Sequence, residues 1–453
     1  MPLFGRLFAV LALSFAPFVL AGTAAQTEDA LIKEAETFMD QLQAGQFTNA
    51  VARFDKTMTA ALPADKLAAT WKAVSRQLGD FTKRHGTRIE SLGVYRIVFV
   101  PCEFARDWLD AKVVFNPAGE IAGLFFLPAR KPDAQYPPYA KTNEFREVEA
   151  RFGEAAWELP GTLTLPKGDG RFPAVILVHG SGPNDRDETI GPNKPFRDLA
   201  WGLASRGIAV LRYDKRTKVY AQKYLAEAKQ LKPITVREET MDDAGYALDW
   251  LRQRHEVDPK RIFLAGHSLG GTLAPRIATD HPGFAGLIIL AGGTRPLAQV
   301  MVEQIEYIAK SDGTVSEDEQ QRIDLTRQQA GRVGALTEKD TTNTQPILGA
   351  PPAYWLDLRT YDAPATAAKL RLPMLILQGD RDYQATSKDL AGWRATLSNR
   401  TDVTFKTYPK LYHLFIVGEG PSTPAEYLKP GFVDEEVIRD IANWINAIPR
   451  SGQ

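Results

Sequence analysis

From about residue 145 onward, short strand-length runs, several of them apolar throughout, alternate with longer stretches whose apolar residues recur every three or four positions. The runs at 157–165, 174–178, 208–212, 261–265, 286–290, 374–378 and 403–408 have the length of strands. The stretches 196–206, 240–254, 271–280 and 435–448 have helical spacing. Strands that are apolar throughout, rather than alternating, are covered on both faces, so the pattern predicts a mostly parallel sheet between layers of helices. One segment, 296–364, breaks the rhythm. It is charged and helical in pattern, and too long for a structureless loop. We read it as a helical insertion, a lid over the C-terminal edge of the sheet.

The first part of the chain has a different texture. Ala30, Leu31, Ala35, Phe38, Met39 and Leu42 recur at helical spacing, and two further helices are predicted over 50–62 and 64–78. Strand-like runs follow at 93–100, 108–115 and 121–127, the last two joined by the turn signal Asn116-Pro-Ala-Gly119. Helices followed by an antiparallel sheet predict a small α+β domain over 27–130. The proline-rich, polar stretch 131–144 reads as a linker to a second domain over 145–453.

Residues 1–25 carry Arg6, an apolar run from Leu7 to Leu20 and small residues to Ala25, the layout of a secretory signal peptide. The run is short for a membrane span. The expectation is export to the periplasm or beyond, with no stable membrane anchor. The 453 residues carry zero formal net charge, which offers no basic surface for nucleic acid. Cys102 is the only cysteine, so no internal disulfide can form. Its apolar context, VFVPCEFA, reads as a small buried hydrophobe. No clustering of His and Cys suggests a metal, and no cofactor is expected.

The stretch with most chemistry is RIFLAGHSLGGT, 261–272. Gly266-His267-Ser268-Leu269-Gly270 is a G-x-S-x-G sequence between a predicted strand and a predicted helix. In that setting the serine sits on a tight turn above the sheet, with a helix N-terminus behind it. A nucleophilic serine needs a base, and the base an orienting acid. Only His281 and His413 follow Ser268. His281 falls at the far end of the next helix, whereas His413 follows the last strand, on the loop side of the sheet. His413 is the expected base. The strand at 374–378 runs into Gly379-Asp-Arg-Asp382, where Asp382 is the favoured acid and Asp380 a turn residue. Two backbone N–H groups are needed to bind an oxyanion. One is assigned to Leu269 and the other to Ser181 in the loop His179-Gly-Ser-Gly182. His179 is expected to hold that loop's backbone.

HGSGPNDRDE, Arg212-Tyr-Asp-Lys-Arg216, GHSLGG, QGDRD and His413 together resemble the α/β-hydrolase superfamily over roughly residues 145–450. Within it they are similar to exported bacterial serine esterases related to dienelactone hydrolases, cinnamoyl-ester hydrolases and prolyl-oligopeptidase catalytic domains. Many relatives read YDxRG where this chain has Thr217 in place of the glycine. Residues 27–130 resemble cystatin-like or NTF2-like domains of unknown function that precede some hydrolases. The resemblance implies a carboxylic-ester hydrolase acting on a small-molecule ester by a Ser268–His413–Asp382 triad and an acyl-enzyme. Tyr354 and Trp355, an aromatic pair on the insertion, are candidates for lining a substrate pocket or for packing the lid on the core. Two other functions stay open. One is a peptidase or amidase using the same triad, although no propeller repeat precedes the catalytic domain. The other is a binding protein on a hydrolase fold. A role for the N-terminal domain in binding or in a homodimer also stays open.

Overall fold

The computed structural model describes residues 27–128, 136–226 and 233–449, and the expected signal peptide lies outside them. The chain divides into two compact units, Met1–Leu127 and Pro128–Gln453.

In the first unit, helices α1 (Glu28–Gln43), α2 (Phe47–Val51), α3 (Lys56–Ala61) and α4 (Ala64–Leu78) precede strands β1 (Phe81–Arg84), β2 (Arg88–Leu92), β3 (Tyr95–Phe104), β4 (Trp108–Phe115) and β5 (Ile121–Pro128). The single helix expected over 50–62 is two. Asp55 starts α3 afresh by accepting the Met58 N–H at 2.7 Å, so the chain turns before it. The strand expected from Gly93 begins at Tyr95. Gly93, with φ of 60°, and Val94 instead make the hairpin turn from β2. The pairings of β1, β2 and β4 with β3 are antiparallel. Leu31, Phe38, Leu42 and Trp71 of the helices cover Val98, Val100, Val113 and Phe115 of the sheet. Cys102 is buried in the same core, which pushes its thiol pKa up to about 12.

The second unit starts earlier than the linker reading implies. Residues 131–135 lie outside the described residues, but Tyr139 is buried, and its hydroxyl donates to Val433 O at 2.7 Å. Strands β6 (Phe145–Phe152), β7 (Leu159–Pro166), β8 (Phe172–Val178), β9 (Ala209–Tyr213), β10 (Val257–His267), β11 (Gly286–Leu290), β12 (Met374–Gly379) and β13 (Val403–Tyr408) form one sheet in the order β13-β12-β11-β10-β8-β9-β7-β6. The six strands from β9 to β13 along that order are parallel, and β7 is antiparallel to both its neighbours. Helices α5 (Pro195–Ala204), α6 (Arg216–Val219), α7 (Ala221–Ala226), α8 (Asp242–Arg252), α9 (Leu269–Asp280), α14 (Ser387–Leu397) and α15 (Glu435–Ala447) connect and cover it. The insertion between β11 and β12 contributes α10 (Leu297–Ala309), α11 (Glu317–Ala335), α12 (Pro352–Arg359) and α13 (Ala363–Lys369).

The two-residue period of a strand explains both layers. Ile176, Leu264, Ile289 and Ile376 point to one face, under Leu248, Leu273, Ala367 and Trp393. Val175, Leu177, Phe263, Ile288 and Leu375 point to the other, under Phe196, Leu199, Ile438 and Ile441. This is a doubly covered α/β sheet with a helical insertion. Among the described residues, no helix is long and apolar enough to cross a membrane.

Candidate active site

The parallel strands all end on one edge, and the loops there carry the polar residues singled out in the sequence. Ser268 leaves β10 and opens α9 with φ of 54° and ψ of −117°. A non-glycine residue held there stores on the order of 1–3 kcal/mol, which the surrounding glycines make tolerable. A Cβ on Gly266 would overlap Gly270 O, and one on Gly270 would overlap Val178 O. One on Gly271 would come 2.9 Å from Gly266 O. The three glycines are therefore demanded by the close approach of helix to strand. Ser268 N donates to Leu290 O at 2.9 Å, which fixes the turn against β11. The N-terminus of α9 lies directly behind the serine and favours negative charge there.

Asp382 and His413 meet. His413 Nδ1 lies 2.7 Å from Asp382 Oδ2, and both side chains are buried. A carboxylate accepts, so Nδ1 carries the proton and Nε2 keeps its lone pair for a substrate or serine proton. Asp382 is held in turn by the N–H groups of Gln384 at 2.7 Å and Ala385 at 3.1 Å. Asp380 makes no such contact with His413. Its N–H donates to Tyr408 O at 3.0 Å, at the end of the β12–β13 pairing.

His267, one residue before the serine, joins the serine turn to the histidine loop. Its Nε2 donates to His413 O at 2.9 Å, and the two rings stand 4.6 Å apart. Its Nδ1 lies 2.8 Å from Glu188 Oε2. Both ring nitrogens thus face acceptors. Burial opposes the charged ring, but the Glu188 carboxylate outweighs it and raises the His267 pKa. The other Glu188 oxygen accepts the Gly180 N–H at 2.7 Å. Glu188 therefore ties the 179–182 loop to the serine turn. The sequence reading passed over both residues. The position of His267 inside the G-x-S-x-G stretch was the available signal, whereas nothing in the spacing marks Glu188.

The loop carrying Ser181 lies directly over Ser268. A Cβ on Gly180 would sit 3.1 Å from Ser268 Cβ and 3.6 Å from its Oγ. The N–H groups on either side of Ser181 are taken, that of Gly180 by Glu188 and that of Gly182 by Glu239 Oε1 at 3.3 Å. His179 Nε2 donates to Asp185 O at 3.0 Å, so His179 does hold the loop's backbone. Arg186 pairs with Asp214 at 2.8 Å beside it. Arg216, just past β9, pairs with the fully buried Asp243 of α8.

Of the two roles open to Tyr354 and Trp355, the structure shows packing of the insertion on the core and not the lining of a substrate pocket. They are only 7% and 3% exposed and belong to the core under the sheet. Trp355 Nε1 donates to Ile347 O at 2.6 Å, and Tyr354 OH donates to Glu239 Oε2 at 2.7 Å. Each polar tip is satisfied inside the protein, which is what anchors a buried aromatic residue. The insertion reaches the candidate site elsewhere. Tyr307 of α10 stacks on Tyr383, with ring centroids 5.0 Å apart, and its hydroxyl donates to Ser422 O. Tyr383 adjoins Asp382, so α10 rests on the loop that carries Asp382. Among the described residues no group of side chains is arranged to hold a metal ion.

Comparison with known proteins matches residues 174–419 to a family described as serine aminopeptidase, S33. Residues 35–124 match a family described as a protein of unknown function, DUF3887. The chain is 39% identical to Esterase EstD of Thermotoga maritima over 413 residues, covering 91% of this chain and 95% of the relative. Similar solved structures include Est1E from Butyrivibrio proteoclasticus, at 16% identity and a TM-score of 0.41, covering 66% of this chain and 99% of that one. An esterase of Pyrococcus furiosus matches at 14% identity and a TM-score of 0.43, covering 71% and 97%.

Proposed function

The chain belongs to the S33 serine aminopeptidase family of α/β-hydrolases, and on that premise we propose that it hydrolyses small carboxylic esters through a covalent serine intermediate. Ser268 Oγ attacks the ester carbonyl while His413 Nε2 takes its proton. Asp382 keeps His413 in the required tautomer and stabilises the imidazolium as it forms. The N–H groups of Leu269 and Ser181 hold the oxyanion. His413 returns the proton to the departing alcohol, then activates the water that releases the acid. The observation that carries this reading is the strained Ser268 turn, joined through the neighbouring His267 to the loop of a histidine whose Nδ1 is committed to a buried carboxylate. The name of the 39%-identical relative supports an ester as substrate. We also propose export, on the signal-like residues 1–25.

The family's own description, serine aminopeptidase, favours a second reading, in which the same residues cleave an aminoacyl amide. A panel of p-nitrophenyl esters of rising acyl length beside alanyl and prolyl p-nitroanilides, run with wild type and Ser268→Ala, separates them. Ester turnover that vanishes in the variant is expected. Anilide turnover with negligible ester turnover would replace the ester reading with the second, and ester turnover that survives Ser268→Ala would refute the serine mechanism.

A further inference from the structure

Lys215 lies just past β9, and only 1% of it is exposed. Its Nζ donates to Gly180 O at 2.7 Å and to Glu239 Oε1 at 2.8 Å. Burying an ammonium is costly unless it is paired and hydrogen-bonded, so this placement has to be supported by those partners. The carbonyl it grips shares a peptide plane with the Ser181 N–H, and in a trans peptide the two bonds point in opposite directions. A cation on Gly180 O therefore fixes the direction of the Ser181 N–H. It also draws electron density from that amide and makes its N–H a stronger donor.

The rest of the loop is locked around this peptide. Asn184 Nδ2 donates to the carbonyls of Gly180, Ser181 and Gly182, at 3.3, 3.1 and 3.3 Å. Glu188 and Glu239 take the flanking N–H groups. Glu239 sits on a single π-helical turn, Arg237–Met241, a rare geometry that recurs at functional sites. Its second oxygen is held by Tyr354 of the insertion. The chain of contacts therefore runs from the insertion to the peptide above Ser268.

We propose that Lys215, braced by Glu239, is a positioning residue that aims and polarises the Ser181 N–H toward the oxyanion. This rests on the serine-esterase reading above. That reading is tested first, with wild type and Ser268→Ala alone: ester turnover in wild type that is lost in Ser268→Ala supports it, and any other result overturns it and this proposal with it. The proposal itself is tested with Lys215→Met and with the double variant Lys215→Met/Glu239→Gln, which leaves no unpaired buried carboxylate. Turnover is expressed per serine titrated by a fluorophosphonate, so misfolded protein drops out. Losing an oxyanion donor outright costs roughly 10²- to 10³-fold in kcat, and misaiming one costs part of that, about 10- to 100-fold, with KM changed less than about threefold. A trifluoromethyl ketone, whose bound adduct carries the oxyanion, is expected to lose affinity in parallel with kcat/KM. Lys215→Arg, which keeps the cation, is expected to recover part of the rate. If kcat per titrated serine stays within about twofold of wild type and ketone affinity is unchanged in either Met variant, Lys215 only supports the fold and the proposal is wrong.

Discussion

Tyr354→Phe separates the two roles that an aromatic residue on the insertion can have. The change removes one oxygen and leaves the ring's packing intact. That oxygen donates to Glu239 Oε2 at 2.7 Å in a site 7% exposed. The Lys215 and Gly182 contacts both fall on the other oxygen, Oε1. The variant thus leaves a buried carboxylate oxygen short of its donor. A hydrogen bond to a charged group contributes about 1.5–3 kcal/mol net, and no cavity adds to it, so a loss of about 2 kcal/mol is expected. At 2–4 °C per kcal/mol, as for domains of about 150–250 residues, Tm falls on the order of 5 °C. Calorimetry of the transition of the second unit reads this directly. Since Tyr354 does not face substrate, KM for a short-chain ester stays within about twofold of wild type. Unchanged Tm with KM raised several-fold would refute the reasoning and return Tyr354 to the substrate pocket.

Three further outcomes follow from the same geometry. Asp382→Asn preserves the shape of the site but lets the wrong imidazole tautomer form, so kcat falls on the order of 10³- to 10⁴-fold with Tm little changed; a loss below about tenfold in steady-state ester kinetics would exclude Asp382 as the acid. Gly270→Ala drives a Cβ into Val178 O, so the soluble yield and Tm of the variant both collapse, and a variant with wild-type Tm would contradict the turn geometry. His179 is held neutral, its pKa pushed down to about 4, chiefly by burial, with Glu188 opposing and Lys215 assisting. The unfolded chain takes up that proton below about pH 6.5 while the folded one waits until about 4, so folding stability falls as pH drops through this window. Relative to His179→Asn, wild type loses up to about 3 kcal/mol more between pH 7 and 4 in urea titrations; parallel curves for the two proteins would contradict it.

Much of the fold was legible because a doubly covered sheet imposes its pattern on the sequence. Gly286–Leu290 and Val403–Tyr408 were bounded correctly from their residues alone. Strand β6, FREVEARF, was missed because it lies at the sheet edge, with charged residues on its exposed positions. The Ser268 turn and the meeting of Asp382 with His413 were legible because the motifs that carry them put particular residue types at strand ends in a particular order. The supporting shell was not. Glu188, Lys215 and Glu239 are common charged residues, and what distinguishes them is burial against partners 8 to 115 residues away. The role of Tyr354 stayed open between pocket and packing for the same reason: an aromatic residue on an insertion shows nothing of the carboxylate its hydroxyl meets. The helix α14 likewise follows from the capping box of Thr386 and Asp389, whose carboxylate also receives Arg295, a contact no local pattern announces.

The central claim is that Ser268 becomes acylated during ester hydrolysis. The direct measurement is mass spectrometry of protein quenched within milliseconds of mixing with a p-nitrophenyl ester, followed by peptide mapping. An adduct of the acyl mass on the peptide holding Ser268, formed at the rate of the p-nitrophenol burst and absent from Ser268→Ala, is the expected result. Steady ester turnover with no burst and no adduct, or an adduct that persists in Ser268→Ala, would contradict it.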